Sequence, residues 1–88
     1  MSLEDLAKEV YRTETISKEN LDNLNSAIHS LSPLYLEYLD LRYAIHTREV
    51  MLTPKEIANG EGGNIRPEYI MGILDQAIAL TRKRLNIN

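Results

Sequence analysis

The sequence contains no cysteine, tryptophan or phenylalanine, and it has only four glycines and three prolines among its 88 residues. The absence of cysteine excludes disulfides, thiolate chemistry and cysteine-ligated zinc, and it fits a reducing compartment. No apolar run approaches the roughly 18 residues that a membrane-spanning helix needs, and no signal-peptide pattern opens the chain. We therefore expect a cytoplasmic protein with no membrane partner.

What remains is the composition of an ordinary globular domain. Hydrophobic residues make up 43% of the chain and charged residues 26%, which argues against disorder. A chain of this length is expected to build one hydrophobic core, so we predict a single domain over residues 1–88. The five tyrosines must supply all of its aromatic bulk.

The net charge of −3 is unevenly distributed along the chain. Residues 1–31 hold three basic and six acidic side chains, whereas residues 32–88 hold seven of each sign. An acidic protein is a poor candidate for binding a polyanion by charge alone. Because the acidity belongs to the first 31 residues, the neutral remainder is not excluded from a nucleic-acid role.

Capping residues and apolar periodicity predict five helices and no strand. Ser17 begins the second helix, Ser32-Pro33 the third, and Thr53 to Glu56 form a capping box that begins a short fourth helix. A glycine-rich turn at 59–64 separates it from a long last helix at about 66–85. The third helix has apolar residues on nearly every side, which predicts that it is the central, most buried helix.

The predicted fold class is therefore all-α, a small bundle of about five helices. An acidic two-helix N-terminal extension, residues 1–31, precedes a three-helix unit, residues 32–88. In that unit a short helix, a turn and a longer helix come last, which is the outline of a helix-turn-helix.

Leu41-Arg42-Tyr43 lies near the end of the third helix, and a threonine-led helix starts at Thr53 about ten residues later. Through these two segments, residues from about 31 to 85 resemble region 4 of the sigma-70 family and the related small regulators of bacteria and phages. Arg66 and Glu68, followed by spaced aliphatic residues, match the opening of the family's recognition helix. The resemblance implies a DNA-binding, helix-turn-helix protein of transcription regulation, with double-stranded DNA as its partner.

On this interpretation the last helix approaches the major groove. Arginine can pair with guanine, glutamate can accept from cytosine, and tyrosine or a basic side chain can bind phosphate. The predicted DNA-binding residues are Arg66, Glu68, Tyr69, Gln76, Arg82, Lys83 and Arg84.

A second interpretation is a non-catalytic protein-interaction module that binds RNA polymerase or a sigma factor without sequence-specific DNA binding. It is favoured by Pro67, Met71 and Gly72, which stand where the family has basic or amide side chains. The second helix adds a helical seam that could bind a partner or form a homodimer, although packing inside the domain is the ordinary role of such a seam. Its residues are Leu21, Leu24, Ile28 and Leu31.

Neither catalysis nor metal binding is indicated by the residue pattern. No nucleophile, base and orienting group occur at a recognisable spacing, so we expect no enzyme and no cofactor. His29 and His46 are separated by 17 residues, and neither has a second histidine three or four positions away. Glu49 follows His46 by three residues but falls in a predicted loop, so we expect no metal site.

Overall fold

A computed structural model describes residues 2–46, 50–60 and 64–87, and this part of the chain contains five α-helices and no strand. Residues 47–49, with Glu49, and residues 61–63 of the predicted turn lie outside the described ranges. The predicted all-α fold is confirmed. None of the described helices is long and apolar enough to cross a membrane. The helices are α1 (Ser2–Tyr11), α2 (Lys18–His29), α3 (Pro33–Tyr43), α4 (Pro54–Gly60) and α5 (Pro67–Arg84).

Local hydrogen bonds fix where the helices begin. The Ser17 hydroxyl accepts a hydrogen bond of 3.1 Å from the backbone N–H of Asn20 at the start of α2. At α4 the Thr53 hydroxyl accepts from the Glu56 N–H over 3.2 Å, and Glu56 Oε1 accepts from the Thr53 N–H over 3.0 Å. This reciprocal pair is the predicted capping box, and it satisfies backbone amides that a helix start leaves unpaired.

Helix α5, and not α3, is the central element of the fold. It packs against each of the other four helices, whereas α3 packs against α1, α4 and α5. The prediction that α3 is the central helix is therefore wrong, although a smaller share of its residues is exposed than in α5. Its apolar residues do not all face the core, since Leu34 is 47% exposed. The buried side of α5 consists of Ile70, Ile73, Leu74, Ala77 and Thr81.

One hydrophobic cluster contains side chains from all five helices. The predicted N-terminal extension is part of it, because Leu6 and Val10 of α1 are buried. The α2 seam is part of it too: Leu24 and Ile28 are fully buried, Leu31 is nearly so, and Leu21 is partly buried against them. These four side chains hold α2 on the domain, so they offer no open face to a partner in this fold.

Replacing Thr53 by alanine removes one side of the capping box at α4. We expect the free energy of unfolding to fall by about 0.5–2 kcal/mol, as for other cap truncations. The matched control is Ser32→Ala, because Ser32 precedes α3 but makes no capping hydrogen bond with its side chain. Urea denaturation followed by circular dichroism measures both, and equal losses would contradict a capping role for Thr53.

The loss of stability caused by Thr53→Ala is expected to depend on pH. Hydrogen bonds from the Thr53 backbone and then its hydroxyl lower the pKa of the exposed Glu56 carboxyl from its ordinary value of 4.5. A carboxyl with a lowered folded-state pKa contributes stability above its unfolded pKa and loses it as the pH falls through the folded value. Thr53→Ala keeps the backbone hydrogen bond and loses only the contribution of the hydroxyl, so the stability difference from the native protein should narrow slightly below about pH 4.5.

Candidate functional site

The start of α3 and the first half of α5 form a groove between them, which we call the α3–α5 groove. The Tyr35 hydroxyl donates a hydrogen bond of 3.0 Å to Gln76 Oε1 and so joins the two helices at the surface. The groove has a volume of about 260 Å³. This is less than most small-molecule pockets enclose, so a few side chains of another chain fit it better than a whole ligand. Its lining is Leu34, Tyr35, Tyr69, Gly72, Ile73 and Gln76.

Large apolar side chains are exposed at this groove. Leu34 is 47% exposed on the α3 side and Tyr69 is 58% exposed on the α5 side. Met71 is 51% exposed as well, but it follows Tyr69 by two residues and therefore lies on another side of α5, outside the groove. Isolated exposed apolar residues are common, but two of them on the opposite sides of one groove are typical of a contact surface.

Gly72 lies inside α5, and the packing of this chain does not require a glycine there. A Cβ atom built at this position has no heavy atom within 4 Å. Glycine in a helix interior destabilises a protein by about 0.5–1 kcal/mol relative to alanine. The absent side chain instead exposes the α5 backbone in the floor of the groove, where another chain can approach it closely.

The start of α3 and the first half of α5, which form the groove, expose more acidic than basic side chains. Glu68 and Asp75 are exposed on α5, and they lie one helical turn before and after Gly72. Glu37 is exposed on α3, one turn after Leu34. Arg66, the N-cap residue of α5, adds one exposed positive charge. The face of α5 that a helix-turn-helix would present to DNA is therefore acidic and apolar in this protein.

Arg82 makes hydrogen bonds inside the fold. Its Nε donates to the Val10 carbonyl over 2.9 Å and its Nη2 donates to the Glu9 carbonyl over 2.5 Å. These acceptors lie in the last turn of α1, where carbonyls lack helical partners and the helix dipole favours a cation. Arg82 therefore joins the last helix to the first, a role that the sequence did not indicate. Lys83 and Arg84 are exposed.

The predicted DNA-binding residues thus fall into separate groups. Arg66, Glu68 and Tyr69 are exposed in the first turn of α5, and Gln76 is hydrogen-bonded to Tyr35 two turns later. The basic residues at 82–84 lie a further two turns along the helix, and the first of them is bonded to α1. The structure does not gather these residues into one basic patch.

A larger groove, about 630 Å³ in volume, opens beside α1. It is lined by acidic and basic side chains together with the buried Tyr43. Burial raises the pKa of the Tyr43 hydroxyl, and the nearby Glu9 charge raises it further, while Arg42 acts against them. The Arg42 guanidinium donates to the Leu52 carbonyl over 3.5 Å. Both Arg42 and Arg82 thus support the backbone around this groove.

Sequence reasoning missed a contact between His29 and His46. Their Nε2 atoms lie 3.2 Å apart, and Asp40 lies beside His46. The contact forms because Ala44 ends α3 in the left-handed conformation, with φ of 52° and its N–H bonded to the Asp40 carbonyl. This turn carries His46 back towards the end of α2. Because the turn is not visible in residue spacing, the separation of 17 positions gave no sign of the pair.

Comparison with known proteins found no family model, curated protein or solved structure that matches this chain. The resemblance to sigma-70 region 4 accordingly depends on the Leu41-Arg42-Tyr43 segment, the helix that starts at Thr53 and the opening of α5.

The Arg82 contact predicts an asymmetry within the basic cluster. Arg82→Ala leaves the Glu9 and Val10 carbonyls without their charged donor, and such hydrogen bonds are worth about 1.5–3 kcal/mol when buried. Because Arg82 is partly exposed, we expect a loss of about 1–2 kcal/mol in the free energy of unfolding. Lys83→Ala removes the same charge one position away and should change stability by less than about 0.5 kcal/mol. Chemical denaturation compares the two, and equal effects would contradict the bridging role of Arg82.

Proposed function

We propose that this protein is a non-catalytic interaction module that binds a helix of a partner protein in the α3–α5 groove. The observation that carries the proposal is Gly72, a destabilising residue with open space above it. Leu34 and Tyr69 stand exposed on the two sides of that opening. A partner helix that inserts an apolar side chain there would cover all three residues.

The charges favour a protein partner over DNA. Binding to DNA depends on free cations that neutralise phosphates. Glu37, Glu68 and Asp75 are exposed on the two helices that form the groove, against Arg66 as an exposed cation, and Arg82 is bonded to α1. An amphipathic helix with basic residues beside its apolar stripe would complement this surface in shape and charge.

The resemblance to sigma-70 region 4 gives the partner to test first. Region 4 of those factors itself binds RNA polymerase, and a module that keeps the fold can keep that type of contact. We therefore propose RNA polymerase, or a sigma factor, as the source of the partner helix. Transcription regulation would then occur through protein contact, with DNA binding through α5 as the competing mechanism.

Gly72→Ala separates stability from binding. The added methyl group meets nothing inside the chain, so we expect the free energy of unfolding to rise by about 0.5–1 kcal/mol. The same methyl group narrows the groove, so affinity for the partner should fall about tenfold or more. Fluorescence anisotropy with the labelled full chain and purified bacterial core RNA polymerase or sigma factor measures the affinity.

Gly60→Ala is the matched control, because a Cβ atom at Gly60 also meets nothing and the residue lies at the end of α4, outside the groove. It should leave partner affinity unchanged. A gel shift at low salt tests the competing mechanism. Three results together would show that α5 is a DNA-recognition helix and that the interaction proposal is wrong. The native protein would retard duplex DNA, Arg66→Glu would abolish the retardation, and neither RNA polymerase nor a sigma factor would bind the native protein.

A further inference from the structure

His29 and His46 are oriented so that their ring nitrogens face one point. His29 ends α2, and His46 follows the turn at the end of α3. The two Nε2 atoms are 3.2 Å apart, and the rings are nearly perpendicular, with an interplanar angle of 82°. The pair lies at the opposite end of α3 from the α3–α5 groove, so a role for these histidines is independent of the proposed function.

The neighbours of the rings determine where their protons lie. His29 Nδ1 is 2.7 Å from the Asn25 carbonyl oxygen, which can only accept, so this nitrogen carries the proton. His46 Nδ1 is 3.4 Å from Asp40 Oδ1, an anionic oxygen that favours a proton on this nitrogen too. The same Asp40 oxygen accepts a 2.7 Å hydrogen bond from the His46 backbone N–H, which holds the carboxylate in place.

With both Nδ1 atoms protonated, the two Nε2 atoms present lone pairs to each other. Two lone pairs at 3.2 Å repel unless an electron-pair acceptor lies between them. Two imidazoles on one tetrahedral ion, with metal–nitrogen distances of about 2.0–2.1 Å, place their nitrogens about 3.3–3.4 Å apart. The observed separation is within about 0.2 Å of that value.

We propose that His29 and His46 together bind one divalent transition metal ion of the Zn²⁺ class. Imidazole nitrogen selects zinc, nickel or copper over magnesium and calcium, which prefer oxygen ligands. Metal-binding histidines commonly donate their second N–H to a backbone carbonyl or a carboxylate, and Asn25 and Asp40 supply these two acceptors. Asp40 is a positioning residue in this arrangement.

The site has two protein ligands and leaves the other coordination positions to solvent. Both histidines are exposed. Within the described ranges, no group of three or more His, Asp or Glu side chains is close enough together to hold a metal ion. The bound ion would link the end of α2 to the segment after α3. Metal that binds the folded chain and not the unfolded one raises stability by mass action.

Titration of the full chain with ZnCl₂, followed by ¹H–¹⁵N NMR of the imidazole rings, tests the proposal. Both Nε2 resonances should shift along one binding curve, and MgCl₂ should leave them unmoved. At a zinc concentration about ten times the dissociation constant, the melting temperature should rise by about 5–10 °C. His29→Gln and His46→Gln should each weaken zinc binding at least tenfold.

One further pair of variants tests the positioning role of Asp40. Asp40→Asn keeps an oxygen for the His46 backbone N–H but loses the charge, and it should weaken zinc binding about tenfold or more. Asp22→Asn, the matched control, removes the same charge from an exposed position of α2 seven residues before His29 and should bind zinc as the native chain does. Three results would each overturn the proposal: a zinc-induced shift confined to one ring, equal zinc affinity in the two glutamine variants and the native chain, or no shift at about 1 mM ZnCl₂. In any of these cases a proton shared by the two Nε2 atoms would explain their contact.

Discussion

The apolar side of α5 is the constraint on which the rest of the structure depends. Each of the other four helices packs against this helix. Ile70 and Ala77 on its buried side are completely covered, and the Thr81 hydroxyl is covered too, with its proton donated to the Ala77 carbonyl over 2.7 Å. Because the buried side of α5 is fully packed, this helix can accept substitutions without loss of packing only on its exposed side, where Tyr69, Gly72 and Asp75 lie.

The structure divides the cations of the second half of the chain between two roles. Arg42 and Arg82 donate to backbone carbonyls, so their charge supports loops and helix ends. Arg66, Lys83 and Arg84 are exposed but are spread over the length of α5. Although residues 32–88 are neutral on average, two of their arginines are therefore used within the fold, whereas Glu37, Glu68 and Asp75 are exposed on the helices that form the groove. This distribution is the physical basis for proposing a protein partner.

Features encoded within a few residues could be predicted from the sequence. The Ser17 cap and the Thr53–Glu56 capping box satisfy amides within one turn, so their residues stand close together in the chain. The prolines at the starts of α3 and α5 are local signals too, because a proline has no N–H that a helix start would leave unpaired. Which of α3 and α5 is the central helix was not predictable in this way, because it depends on how many other helices each one packs against. The same holds for the α3–α5 groove, because Tyr35 and Gln76, which join its two sides, are 41 positions apart in the sequence.

The contact between Arg82 and the end of α1 has a consequence for how the chain acquires its structure. It joins residues that are 72 and 73 positions apart, and the buried side of α5 is similarly remote from α1. Closing so large a loop costs conformational entropy before any contact repays it. During synthesis α1 leaves the ribosome long before α5, against which it packs, exists. The core of this domain can therefore close only after α5 has been synthesised.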